Sequence, residues 1–139
     1  MNHPDRGAWR SIGFWLALAL ALSQLSNAVR VALGVQEYSA YMGLPLVSGE
    51  DSSWVYVYAL RALFMGVFAG YLLIKRHYQV MSAMALFAIV MPAGDFYLVW
   101  QADGSAGTLF RHALIAAVLV AAWISLDQLA RRQNSVKPA

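Results

Sequence analysis

The sequence predicts an all-α integral membrane protein: a four-helix antiparallel bundle whose third helix is kinked near Pro92. Three observations carry this. Of the 139 residues, 60% are hydrophobic and 12% charged, with a mean hydropathy of +0.55, whereas a soluble domain averages roughly 45–50% apolar and about 25% charged. The apolar residues fall into four segments, each near the ~20 residues with which a helix crosses ~30 Å of hydrocarbon. Most charges lie between or at the ends of those segments, as expected for a single four-span domain over residues 1–139.

The first span covers about 9–33. Its centre, GFWLALALALSQL, is rich in alanine and leucine, which favour helix over strand. The long connection after it holds Tyr38, Tyr41, Gly43 and Pro45 and ends in Glu50 and Asp51. A short interfacial helix is expected there, over Gln36 to Met42. The second span, 54–74, carries one charge, Arg61; the third, 80–100, carries one, Asp95. Pro92 has no N–H for the carbonyl of Ala88 and Gly94 adds freedom, so a kink is expected just before Asp95. Residues 101–107, QADGSAG, read as a turn, since Asp-Gly favours left-handed geometry. The fourth span, 108–130, opens on Arg111 and His112 and has Asp127 near its end. No segment alternates as a barrel strand does.

Lysine and arginine set the orientation. Arg6 and Arg10 precede the first span, Lys75 and Arg76 join the second to the third, and Arg131, Arg132 and Lys137 follow the fourth. All three groups fall on one side of a four-span chain. Glu37, Glu50, Asp51 and Asp103 fall on the other. Both termini are therefore expected to be cytoplasmic. The net charge of +3 and isoelectric point near 9.5 do not indicate nucleic acid, because the basic residues are split among three short segments. Residues 1–28 also fit a secretory signal peptide with a Ser26-Asn27-Ala28 cleavage site. Against that, Gln24, Asn27 and Arg30 continue a polar helical face past the apolar run.

Several chemistries lack their residues. There is no cysteine, which excludes thiolate metal sites and disulfide exchange. His77 and His112 lie at opposite ends of the bundle and cannot share a haem iron. No phosphate loop, zinc-protease helix or serine elbow is present. No cofactor and no metal are expected. Met42, Met65, Met81, Met84 and Met91 read as packing residues. Trp9, Trp15, Trp54, Trp100, Tyr56, Tyr58, Tyr78 and Tyr97 read as an interfacial belt, with Tyr58 and Tyr97 also near enough to Arg61 and Asp95 to line a pocket mouth.

Intramembrane ionisable residues usually face the bundle interior. Antiparallel threading puts Arg61 about 10 Å, Asp95 about 7 Å, His112 about 6 Å and Asn27 about 9 Å below one membrane surface. These depths coincide, in the outer half of the bilayer. Ser23, Asn27 and Arg30 share one helical stripe. Ala62, Gly66 and Gly70 form a small-residue seam beside Arg61, suited to close helix packing. Ala85, Ala88, Pro92 and Asp95 share a face, as do His112, Ala116, Leu119 and Trp123. Arg61 and Asp95 are expected to form an ion pair, and Arg111 to snorkel to the headgroups. The candidate catalytic residues are Asp95, His112 and Arg61. The candidate ligand-binding residues are Asn27, Arg30, Tyr58 and Tyr97.

The runs NAVRVALGVQEYSAYMGLPL, YALRALFMGVFAGYLL, VMPAGDFYLVW and RHALIAA resemble a family of small four-helix bacterial integral membrane proteins known as a domain of unknown function, DoxX-like in architecture. The resemblance spans about Asn27 to Ala117. It rests on Arg30, on Leu60, Arg61 and Gly66, and on Pro92, Gly94 and Asp95. It implies a bacterial inner (plasma) membrane location and a retained first helix, and it implies no activity. Three functional readings remain open. The first is an accessory protein in the lipid bilayer that binds an apolar, lipid-like small molecule or a partner membrane protein. The second is a membrane-embedded enzyme using Asp95 and His112 in acid–base chemistry on an apolar substrate. The third is a proton-coupled transporter, which with four spans requires a homodimer.

Overall fold

The computed structural model describes residues 11–48 and 51–135. Six α-helices make up its regular structure: α1 (Ile12–Leu33), α2 (Val35–Met42), α3 (Ser52–Ile74), α4 (Tyr78–Ala88), α5 (Val90–Gln101) and α6 (Ala106–Ser135). Four units are long and apolar enough to cross a membrane: α1, α3, α4 with α5 as one interrupted span, and α6. The fold is the all-α bundle of a multi-pass membrane protein, and α2 is the expected short helix in the long connection. Trp9, Arg6, Arg10, Glu50 and Lys137, used above for the belt and the charge balance, lie outside the described residues.

Three of the helix ends share one hydrogen-bond pattern. After α2, the Gly43 N–H donates to Ala40 O at 3.0 Å and the Leu44 N–H to Ser39 O at 3.1 Å. After α3, Arg76 donates to Leu73 O at 3.1 Å and His77 to Leu72 O at 2.9 Å. After α5, Asp103 donates to Trp100 O at 3.2 Å and Gly104 to Val99 O at 2.9 Å. Each is a Schellman closure, which occupies the orphan carbonyls of a helix end and needs a left-handed residue. That residue is Gly43, Arg76 or Asp103, with φ of 85°, 58° and 52°. In the QADGSAG turn it is thus Asp103 that turns left-handed. Gly104 is needed for a different reason: a Cβ there would be 2.9 Å from the Val99 carbonyl oxygen. Ser105 then caps α6, its Oγ accepting from the Thr108 N–H at 3.2 Å.

The third span breaks as Pro92 dictates. The interruption falls at Ile89, next to the Ala88 carbonyl that Pro92 cannot reach. Ile89 keeps helical dihedrals (φ −58°, ψ −29°), so the chain bends and does not reverse. Its own N–H bonds three residues back, to Leu86 O at 3.3 Å.

Helices α1 and α6 together organise the packing: α1 lies against α3 along most of its length and against α6, α6 in turn holds α4 and α5, and α3 meets α4 near their turn and scarcely touches α5. Glycines allow the close approaches. A Cβ on Gly13 would stand 2.9 Å from the Ser125 backbone, and one on Gly66 would stand 2.8 Å from Leu25 and 3.1 Å from Ala21 O. Phe14, Ala17 and Ala21 are buried, so the segment that also fits a signal peptide supplies a wall of the core. Of the small-residue seam, Ala62 and Gly66 are taken up inside the chain, whereas Gly70 faces open space.

The core is divided. One cluster, around Phe14, Leu72, Met81, Leu119 and Leu126, fills the end of the bundle bearing the α3–α4 turn. A smaller one, of Val31, Tyr38 and Val55, fills the α2 end. Large apolar side chains such as Leu60, Phe64, Phe87, Val90 and Phe110 point outward, as lipid-facing residues do. Two glycines on one helix test this packing. Gly66→Ala is expected to destabilise by about 1–3 kcal/mol through overpacking against α1. Gly70→Ala is expected to be neutral or to stabilise by up to about 1 kcal/mol, as alanine outdoes glycine in a helix. Melting temperatures of the purified variants in detergent check both.

Candidate functional site

Between the two core clusters lies a cavity of about 400 Å³. Its floor is apolar, formed by Ala17, Met81, Leu119 and Leu126, and its upper wall is polar, with Asn27, Tyr58, Arg61, Asp95, Arg111 and His112. Asn27, Asp95 and His112 each lie six residues from the α2-side end of their helices, about 9 Å along the axis. Arg61 lies nine residues into α3, about 13 Å. Antiparallel threading alone produces this convergence.

Of the sequence-derived candidates, Asn27, Tyr58, Arg61, Asp95 and His112 line the cavity, and Arg30 and Tyr97 do not. Arg30 turns outward, its guanidinium 5.0 Å from the centre of the Tyr41 ring. Tyr97 is exposed on the outer face of α5, where its hydroxyl accepts from Gln101 Nε2 at 2.6 Å. Two residues after Asp95 is about 200° around a helix, so Tyr97 points away whenever Asp95 points in.

The expected Arg61–Asp95 ion pair is not made. Asp95 faces His112 instead, with Oδ2 3.9 Å from Nδ1. Depth permitted both pairings; the rotation of α3 and α6 about their axes chose the second. The His112 side chain is 1% exposed and that of Asp95 33% exposed. His112 Nε2 lies 3.4 Å from Met42 O, a long contact, and Nδ1 has no hydrogen-bond partner among the described residues. A buried imidazole nitrogen without a bond is uncommon, because desolvation is then uncompensated.

Arg111 also departs from expectation. It bends inward, donates through Nη2 to the Tyr41 carbonyl and stacks over the Tyr41 ring at 3.9 Å from its centre. Tyr41 is thus flanked by two guanidinium groups, from α1 and from α6, and both contacts are favourable cation–π pairs. They fix α2 across the α2 end of the bundle. Next to it, the Tyr38 ring lies tilted against that of Tyr58, centres 5.8 Å apart, and burial pushes the Tyr38 hydroxyl well above the ordinary phenol range. Sequence reasoning missed Tyr41 and Arg111 as wall residues because nothing in their spacing shows where a connecting helix folds back.

The methionines are the other missed feature. Met42, Met65, Met81, Met84 and Met91 all line the cavity. Their unbranched, polarisable side chains make an adaptable wall of the kind found on promiscuous binding surfaces. The signal was the number of methionines on different helices, read above as filler alone.

Arg111→Leu is expected to release α2 by removing its hydrogen bond and its ring contact. Amide hydrogen exchange should then accelerate several-fold over Val35–Met42 and stay unchanged over Tyr78–Ala88. Equal acceleration in both would mean that the bundle loosens as a whole.

The sequence matches a protein family described as Domain of unknown function (DUF4267) over residues 34–126. That region holds α2 to α5 and most of α6, and with them Tyr41, Arg61, Asp95, Arg111 and His112; α1 and Asn27 precede it. No match was found among curated proteins or among solved structures. With more than half of its length matched, and with the cavity walls on α2 to α6 inside the match, the chain belongs to the DUF4267 family.

Proposed function

We propose that this protein binds a small amphiphilic molecule within the bilayer, its apolar body against the apolar floor and the methionines above it and its polar head at the α2 end. One observation carries this reading: in a cavity of about 400 Å³, the charged and imidazole side chains Arg61, Asp95, Arg111 and His112 lie toward the α2 end, while the opposite end is lined by apolar residues. Ligand sites are mostly apolar, with a few convergent polar groups that fix orientation, and they span ~300–1,000 Å³. The bacterial inner membrane, with both termini cytoplasmic, is the location that fits best. Lys75, Arg76, Arg131 and Arg132 gather at the end opposite α2, as positively charged cytoplasmic loops do.

A second reading has its own support. The Asp95 carboxylate stands 3.9 Å from a fully buried His112, beyond hydrogen-bond reach but near enough to orient the imidazole as a general base if the pair tightens around a bound substrate. An enzyme acting on an apolar small molecule would use Asp95 and His112 in this way.

Two experiments test the readings. For binding, Ala88→Phe narrows the cavity beside the Ile89 break. In phosphatidylcholine nanodiscs, dodecanol or farnesol should stabilise the native protein, by about 2.7 kcal/mol at a hundredfold excess over Kd. In the variant that gain should fall below half. An equal gain in both proteins would refute the cavity as the site. For catalysis, molecules co-purifying with native protein and Asp95→Asn are compared by mass spectrometry. A binding protein yields the same compound from both. An enzyme yields a different one from the variant, because substrate then accumulates in place of product.

A further inference from the structure

Four charged or imidazole side chains line the cavity: Arg61 from α3, Asp95 from α5, and Arg111 and His112 from α6. Three of them are engaged. Arg111 is held by the Tyr41 carbonyl and ring, and Asp95 and His112 face each other. Arg61 is the one left over. Among the described residues it has neither an ion pair nor a hydrogen bond. It stands about 13 Å along α3, at a depth where a lone guanidinium is costly and normally finds a partner. Two guanidinium groups, those of Arg61 and Arg111, stand in this wall against one carboxyl group, that of Asp95.

The wall beside Arg61 is also the open one. Helices α3 and α5 both line the cavity, yet they scarcely touch. Arg61 and Met65 form one edge of the gap, and Met91 and Asp95 the other. Met91 is 43% exposed. A molecule can therefore enter sideways from the hydrocarbon with its head passing Arg61. At about 400 Å³, near the lower end of ligand pockets, the space suits one chain better than the two of a phospholipid.

We infer that the occupant is a single-chain amphiphile with an anionic head, a carboxylate or a phosphate, and that Arg61 is its counter-ion. This rests on the amphiphile-binding reading above and names the charge of the head. The guanidinium fork matches either anion through two parallel hydrogen bonds. The bound anion gives the Arg61 guanidinium the partner it otherwise lacks.

The test is equilibrium binding of radiolabelled dodecanoate and dodecanol, which share a chain and differ in head charge, to the full chain in phosphatidylcholine nanodiscs, with empty discs subtracted. Native protein should bind dodecanoate about tenfold or more tighter than dodecanol, the size of one charge-assisted hydrogen bond. Arg61→Gln should bind the two equally, and a cooperative melting transition of the variant in the same discs shows that it is folded. Arg61→Lys should keep part of the preference. Equal binding of both by native protein overturns the inference and leaves the binding reading standing. Binding of neither overturns both. Displacement of dodecanoate by acetate at the same concentration would also overturn it, since the chain would then play no part.

Discussion

Pro92 cannot give a hydrogen bond to the carbonyl of Ala88, and in a bilayer no water replaces the missing donor. The third span bends there, between α4 and α5. Its first half stays close to α6 and meets α3 at the tight turn after Lys75. Its second half keeps its hold on α6 but separates from α3. The cavity occupies the space this leaves, and Asp95 stands three residues beyond the proline on its wall. A backbone defect in the middle of the membrane is tolerated where it borders a cavity, and here the defect and the cavity belong to one arrangement.

The glycines act in the opposite sense. Gly13 and Gly66 draw α1 so close to α6 and α3 that no room remains on that side. Alanine and glycine stand at these tight seams, and many bulky side chains, such as Leu60, Phe64 and Phe110, face the lipid. The free volume is therefore gathered on the side of α4 and α5. Core clusters close it at both ends, and methionines line it between them. Helix α2 completes the enclosure, held by the paired guanidinium contacts of Tyr41.

Much of this was legible in the sequence. Four apolar runs of membrane length identified the spans, and a proline in the third located its break to within a turn. Successive membrane spans run antiparallel, which brought Asn27, Arg61, Asp95 and His112 to similar depths. What depth leaves open is rotation. Each residue advances a helix by about 100°, so a small error in phase exchanges one partner for another. Asp95 was assigned to Arg61 and meets His112 instead. Tyr97 and Arg30 were placed near the right level but face outward. Arg111 was sent to the headgroups because it starts its span, and the helix that captures it belongs to a connection whose path no periodicity encodes.

Helix α6 has 30 residues, about 45 Å at 1.5 Å each, against about 30 Å of hydrocarbon. Tilt absorbs part of such an excess. The rest emerges beyond Ala130, where Arg131 bonds to Asp127 at 2.7 Å, one turn back, a pairing that supports a helix in water. The other three spans have 22 to 24 residues and end near the bilayer surface. The two aqueous faces of the molecule are consequently unequal. One is closed and nearly flush, under α2 and its flanking loops. Among the described residues, the other carries a single helical post, whose foot is continuous with the helix that presents His112 to the cavity. Of the described residues, those of the post are the ones that a water-soluble molecule approaching from that side meets first.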